Sequence, residues 1–316
     1  VIVAFTMMAA YYVNDVVAPL KTMLETDLAW SSTDFGFFTG GYSFLNVFFL
    51  MLIWGGLILD RFGIRFTGKL ATILMVGGTA LEYYAMTGLA GADATLFGIN
   101  EIFGYKTGVF VAFAGYSIFG VGAEVAGITV SKIIAKWFKG KELATAMGVQ
   151  VALARIGSQA GYAVAIPLAR AFGISTPVLL GLVLLLGGMI AFFIFAVMDK
   201  KLDKQMEAAA IAAGTEDEEE KFSFKDVKNI LVNPGFWLIA LLCVLFYSCV
   251  FPFQKFASEL MIIKYGINEN VAGTFAGLPA LGALILTPVF GGFIDKRGKS
   301  ASIMLLGSAM LICVHF

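Results

Sequence analysis

Histidine is all but missing from this chain: His315 is the single imidazole among 316 residues. With no second imidazole, neither a histidine-built metal centre nor a catalytic triad is supported. Cysteine is almost as scarce. Cys243, Cys249 and Cys313 each lie in an apolar stretch without metal-ligand spacing, so they read as buried free thiols. Charge is sparse and balanced, with 14% charged residues and 22 of each sign. A soluble domain of this length would need more charge to cover its surface, and a nucleic-acid partner would call for a net positive field. No enzymatic constellation remains, and neither a cofactor nor a metal is expected. No secretory cleavage pattern opens the chain either. Val1 already stands in an apolar run, so a native N-terminus is expected upstream.

What the chain has in abundance is apolar surface. Hydrophobic residues make up 59%, phenylalanine alone numbers 30, and the mean hydropathy is +0.87. Many of the 36 glycines fall inside the apolar stretches, as in membrane helices whose backbones approach closely. A spanning helix needs about 20 mostly apolar residues. That length predicts eight complete spans, at 1–20, 35–58, 69–90, 107–131, 142–169, 175–198, 235–258 and 270–293, and a ninth beginning at 301. The chain stops at Phe316 inside the ninth, so a C-terminal part is expected to be missing.

Lys and Arg gather in alternate connections. Arg61, Arg65 and Lys69 follow span two, Lys136, Lys139 and Lys141 follow span four, Lys200, Lys201 and Lys204 follow span six, and Lys296, Arg297 and Lys299 follow span eight. The intervening connections carry Asp27, Asp34, Asp93 and Glu101 instead. Excess Lys/Arg marks the cytoplasmic side, which places the N-terminus and the even-numbered connections in the cytoplasm. The longest polar stretch, 199–233, holds the acidic run Glu216–Glu220 and an amphipathic piece from Phe222 to Leu231, and it reads as a solvated linker. The expected organisation is a six-helix bundle over 1–198, a cytoplasmic linker over 199–233, and the start of a second six-helix bundle over 234–316.

An internal repeat supports two related halves. Gly56, Asp60, Arg61, Gly63 and Arg65 close span two, and Gly291, Asp295, Lys296, Gly298 and Lys299 close span eight with the same spacing up to the second glycine. Tyr12 stands as far before Asp60 as Tyr247 stands before Asp295, as duplicated halves require. The loop pattern G-x-x-x-D-[RK]-x-G-x-[RK] resembles the signature of the major facilitator superfamily. So does the run Trp137, Phe138, Glu142, Ala146 and Gly148 entering span five. The resemblance implies an all-α membrane protein with a 6+6 pseudo-symmetric bundle, here truncated to about eight helices and part of a ninth. It also implies two domains that rock about a central site. Asp60, Arg61, Arg65, Asp295 and Lys296 are then expected to form a latch across the cytoplasmic seam, besides marking topology.

An ionisable group at mid-bilayer costs at least about 2.5–3.5 kcal/mol on insertion scales, so each one asks for a partner or a job. Glu124 and Arg155 stand equally far before and after the tight turn at Lys139 and Gly140. At 1.5 Å per residue both lie about 20 Å from it, at one depth. Such a pair either forms a structural salt bridge or clamps a zwitterion, with arginine on the carboxylate and glutamate on the ammonium. Asp15 reads as a proton-coupling acid or as the partner of a span-seven group such as Lys255. Glu82 reads as sitting near the outer end of span three, in reach of water. Asn46, Gln150 and Gln159 line a cavity or bond between helices, and Tyr12 and Tyr247 are candidate aromatic walls.

A narrower resemblance adds a substrate. Asn14-Asp15, Tyr42-Ser43, Asn46, Ala154-Arg155-Ile156-Gly157-Ser158 and Phe251-Pro252-Phe253 are similar to the lysosomal dipeptide-transporter branch of the superfamily and its bacterial relatives. That branch implies dipeptide uniport, with Glu124 and Arg155 contacting the peptide termini. Tyr12, Asn46 and Tyr247 complete the candidate binding set. The two-glutamate and arginine motif of proton-coupled peptide symporters is absent from span one, where Asp15 stands alone. Gly148, Gly157 and Gly161 match the antiporter spacing of span five, but Tyr162 and Ala163 replace what should follow. The rival readings are a proton-coupled organic-anion or monocarboxylate transporter, and a non-transporting sensor or partner subunit. The bilayer and a small solute are the expected partners, in a bacterial cytoplasmic membrane.

Overall fold

The structure, a computed structural model, describes residues 2–91, 94–138, 143–213, 231–297 and 300–315. Helix is the secondary structure that satisfies every interior amide within one segment, as a lipid environment demands. In chain order come α1 (Ile2–Val16), a 3-10 turn at Ala18–Leu20 that begins beside Pro19, α2 (Lys21–Asp27), α3 (Ser32–Phe48) and α4 (Met51–Thr87). A small hairpin of β1 (Glu101–Ile102) and β2 (Tyr105–Lys106) follows. After it come α5 (Thr107–Trp137), α6 (Leu143–Phe172), α7 (Thr176–Ala213), α8 (Pro234–Tyr265), α9 (Glu269–Arg297) and α10 (Ser300–His315). Ser31 starts α3 with a capping box: its hydroxyl accepts from the Asp34 amide, and Asp34 accepts from the Ser31 amide. Asn233 caps α8, and Gly266, at φ 63°, ends it.

Span two is not one rod. Its helix breaks at Phe49–Leu50, where Leu50 takes a left-handed φ of 52°. The loop expected after it shrinks to Gly63, whose φ of 76° and ψ of 172° interrupt α4. Close contacts with α5 show that the chain reverses there. Before Gly63 it runs parallel to α5, with Gly41 against Phe113 and Gly55 against Val125. After Gly63 it runs antiparallel, with Ala71 against Gly122, Gly78 against Gly115 and Leu89 against Gly108. Only a residue without Cβ makes such a turn cheaply.

Among the described residues five helices are each long and apolar enough to cross a membrane: Ile2–Asp27, Thr107–Trp137, Thr176–Gln205, Pro234–Tyr265 and Glu269–Leu286. The broken pair of α3 and α4 adds a sixth candidate. α6 has the length but is not among them, and Gln150, Arg155, Ser158 and Gln159 interrupt it. It packs chiefly on α1 and α9, while α5 packs chiefly on α3 and α4. α7 continues as helix to Ala213, so 199–213 of the stretch read as linker is helical. The acidic run Glu216–Glu220, Asp93 and Glu142 lie outside the described residues. The three cysteines are free but exposed on α8 and α10, not buried. In a membrane helix an apolar stretch is apolar on its lipid face too, so apolar sequence does not imply interior burial.

Candidate functional site

A cavity of about 530 Å³ opens between α1, α3, α5 and α8. Tyr11, Asn14, Tyr42, Ser43, Glu124 and Lys255 give it polar walls, and Phe251, Pro252 and Phe256 of α8 give it an apolar one. Glu124 faces this space, and its Oε1 accepts a 2.8 Å hydrogen bond from the Tyr42 hydroxyl. Arg155 lies behind the wall: its guanidinium sits over the Tyr11 ring, 5.9 Å from the centroid. Among the described residues no carboxylate comes within 4 Å of Arg155.

The two charges share a level but are not neighbours. Gly127, one turn beyond Glu124, faces Met7, and Gly157, beside Arg155, packs on the Met8 carbonyl. Both helices therefore meet the same turn of α1, which lies between them. Although α5 and α6 are consecutive in sequence, α1 fills the gap between them at this level, and Tyr11 on it is within electrostatic reach of Arg155, Glu124, Asp15 and Tyr247.

Tyr12 is a correction. It is 2% exposed, donates to the Pro177 carbonyl of α7 at 3.2 Å, and does not line the cavity. Adjacent helical residues point about 100° apart, so Tyr11 takes the place assigned to Tyr12. Asn46 donates to the Tyr42 carbonyl one turn back and also lies outside the lining. Gln159 sits in the seam between α6 and α9, against Gly277. Tyr247 stacks on the lining residue Phe251 with centroids 5.0 Å apart. Asp15 accepts from Asn14 at 2.8 Å and lies 3.8 Å from Lys255, the partner weighed from the sequence. Lys255 also donates to the Asn14 carbonyl at 2.6 Å and to the Tyr116 hydroxyl at 3.2 Å.

The described latch residues bind within the first helices, not across to α8 and α9. Asp60 pairs with Lys132 of α5 at 2.8 Å, and Arg61 lies over the Phe62 ring. Arg65 meets Asp203 at 2.8 Å and Asp199 at 3.5 Å, and both acids are shared with Lys136. The side chains of Asp295 and Lys296 lie outside those described. Contacts joining α8 and α9 to the earlier helices cluster at the opposite end from these basic loops. There the Lys21 ammonium, 2% exposed, holds Glu25 at 2.8 Å, Ser32 at 2.8 Å and Glu259 of α8 at 2.5 Å. Arg170 of α6 pairs with Glu269 and Asn270 of α9.

Glu82 also departs from expectation. It does not reach water: it is 0% exposed at the tight crossing of α4 and α5, and neither carboxylate oxygen has a hydrogen-bond partner. Gly78 and Gly115 bring the two backbones into direct contact beside it. Burying such a group without a hydrogen bond costs several kcal/mol, about as much as a good core contact supplies. Glu82→Met, similar in volume and free of polar oxygens, is expected to raise the melting temperature by several degrees. An unchanged or lower melting temperature would show that the carboxyl is satisfied in solution.

Long apolar helices enclosing a cavity with charged walls define a multi-pass membrane protein. The chain belongs to the Major Facilitator Superfamily, whose family model matches residues 2–315. The lysosomal dipeptide transporter MFSD1 of Homo sapiens is 26% identical over 328 residues, covering 99% of this chain and 64% of that protein. The MFSD1 of Pongo abelii gives the same figures, and that of Gallus gallus is 31% identical over 214 residues, covering 64% of this chain and 46% of its own length. The chain thus spans about 64% of the length of the curated primate relatives it matches.

Proposed function

We propose that the chain is the greater part of an alternating-access transporter of small zwitterionic solutes, dipeptides foremost, working as a uniporter. The observation that carries this reading is the pair Glu124 and Arg155, held apart at one level on either side of Tyr11 beside the cavity. Opposite charges kept apart fit a ligand with an ammonium at one end and a carboxylate at the other. Glu124, oriented by the Tyr42 hydroxyl, takes the ammonium, and Arg155 takes the carboxylate in a bidentate fork once the Tyr11 ring yields. Tyr247 and Phe251 flank the path. The names of the relatives support a peptide substrate, and the lone acid of α1, engaged by Lys255, supports uniport. The basic loops face the cytoplasm in this reading, with the 199–233 stretch joining two bundles there. In this reading the opposite side is closed, chiefly by the buried Lys21 cluster.

A thermal-shift screen on the full-length protein tests it. Dipeptides are expected to raise the melting temperature, and peptides blocked at either terminus or simple carboxylates are expected to leave it unchanged. Equal stabilisation by monocarboxylates would replace the zwitterion reading with an anion transporter.

A further inference from the structure

The connection from α4 to α5 contains two consecutive tight turns of one design. Leu96 and Ile99 exchange both backbone hydrogen bonds around Phe97-Gly98, and Ile102 pairs with Tyr105 around Phe103-Gly104. The central φ values are 55° and 81° in the first turn and 53° and 81° in the second. Positive φ at both central positions is the type I′ pattern, whose first position favours asparagine, aspartate or glycine. A bulky residue there is strained. This chain places phenylalanine at that position twice, and the two rings are 96% and 89% exposed. Ile99 between them is 50% exposed. The turns gain nothing from these rings, and most of the surface of both faces away from the protein.

The surroundings say what meets them. Phe103 contacts Phe110, with centroids 6.0 Å apart, in the first turn of the membrane-long helix α5. From Phe110 an aromatic column continues down through Phe113 to Phe44 and Phe48, which are 38% and 74% exposed on α3. The hairpin thus sits at the level where α5 enters the apolar layer and continues its aromatic surface outward. Its base is fixed: Tyr105 stacks on Phe37 at 3.9 Å, Thr107 donates to the Ile99 carbonyl, and Lys106 donates to the Ala29 carbonyl. The hairpin's own charges, Glu101 and Lys106, cancel. Rigid, neutral, aromatic and at the end of a spanning helix, this tip matches the chemistry of the headgroup–acyl boundary. We infer that the Phe97 and Phe103 turns insert into the interface of the membrane leaflet on that side, anchoring the hairpin to zwitterionic lipid.

Phe97→Trp and Phe103→Trp in the full-length protein test this, with the wild-type signal of the four native tryptophans subtracted. In phosphatidylcholine liposomes brominated high on the acyl chains, the added emission is expected to fall at least about twofold and to resist aqueous iodide. Adding anionic lipid is expected to change neither. Quenching by iodide and not by brominated lipid would overturn the proposal. Shielding from both in native membranes, lost on purification, would replace the lipid with a protein partner. A second measurement needs no tryptophan. Phe97→Asn with Phe103→Asn keeps the turns in their preferred chemistry, and amide exchange over 94–106 in lipid nanodiscs is expected to speed up relative to wild type. Equal exchange would also count as refutation.

Discussion

Arg155→Ala is expected to cut dipeptide uptake into proteoliposomes by about a hundredfold or more while leaving the protein folded. Truncating one member of a desolvated, hydrogen-bonded charge pair costs about 2–5 kcal/mol, and 2.7 kcal/mol is already two decades. Folding survives because Arg155 is in no ion pair among the described residues: what the free protein loses is its placement over Tyr11, worth about 0.5–1 kcal/mol. Arg155→Lys retains charge but not the fork, and a loss of about tenfold is expected. Glu124→Gln is a cleaner test of the other end, because the amide oxygen still accepts from the Tyr42 hydroxyl. The sharper form of the experiment pairs variant with substrate. C-terminal amidation should weaken transport by the wild type and do nothing further to Arg155→Ala, and N-terminal acetylation should behave likewise with Glu124→Gln. Losses that multiply independently would mean that these residues act on the fold and not on the peptide termini.

The matched level of those two residues was legible because a helix converts sequence distance from a turn directly into depth. Their separation by α1 was not. Depth is one coordinate, and the azimuth of a helix is set by which neighbour its small residues admit, here Gly157 against Met8 and Gly41 against Phe113. The same limit explains the exchange of Tyr12 for Tyr11: both are aromatic, both lie at the right depth, and only packing decides which faces the cavity. The all-helical membrane fold was readable for the opposite reason, since long apolar runs depend on composition along the chain and not on rotation about it. Asp199 and Asp203 were missed because they fall in a stretch polar enough to look like linker. Helix α7 continues through them and delivers both to Arg65 and Lys136. Glu82 misled by its position near a span's outer end, because a two-glycine crossing of α4 and α5 buries its side chain there. The Phe-Gly turns went unread as turns for a chemical reason: phenylalanine is not a residue that a type I′ turn calls for.

Lys21→Met is expected to open the seam opposite the basic loops. Methionine fills most of the lysine stem, so the packing loss is small, but Glu25 and Glu259 are then left facing one another without their shared cation. Attraction becomes repulsion across the contact between α2 and α8. Breaking a buried pair costs about 3–5 kcal/mol. The two acids are 31% and 21% exposed, which lowers this to about 2 kcal/mol, or roughly thirtyfold in the closed-to-open ratio. A Ser43→Cys probe in the cavity, with the three native cysteines replaced by serine, reads this as faster labelling by an impermeant maleimide from that side. Glu259→Gln removes the repulsion and keeps a hydrogen bond to Lys21, so a smaller rise is expected. Arg170→Met provides the contrast. Its pair with Glu269 is 44% and 42% exposed, water already screens it, and less than about a threefold change is expected. Equal labelling in Lys21→Met and wild type would make the cluster a static brace, and a response to Arg170→Met as large as to Lys21→Met would remove burial as the reason one ion pair holds the gate.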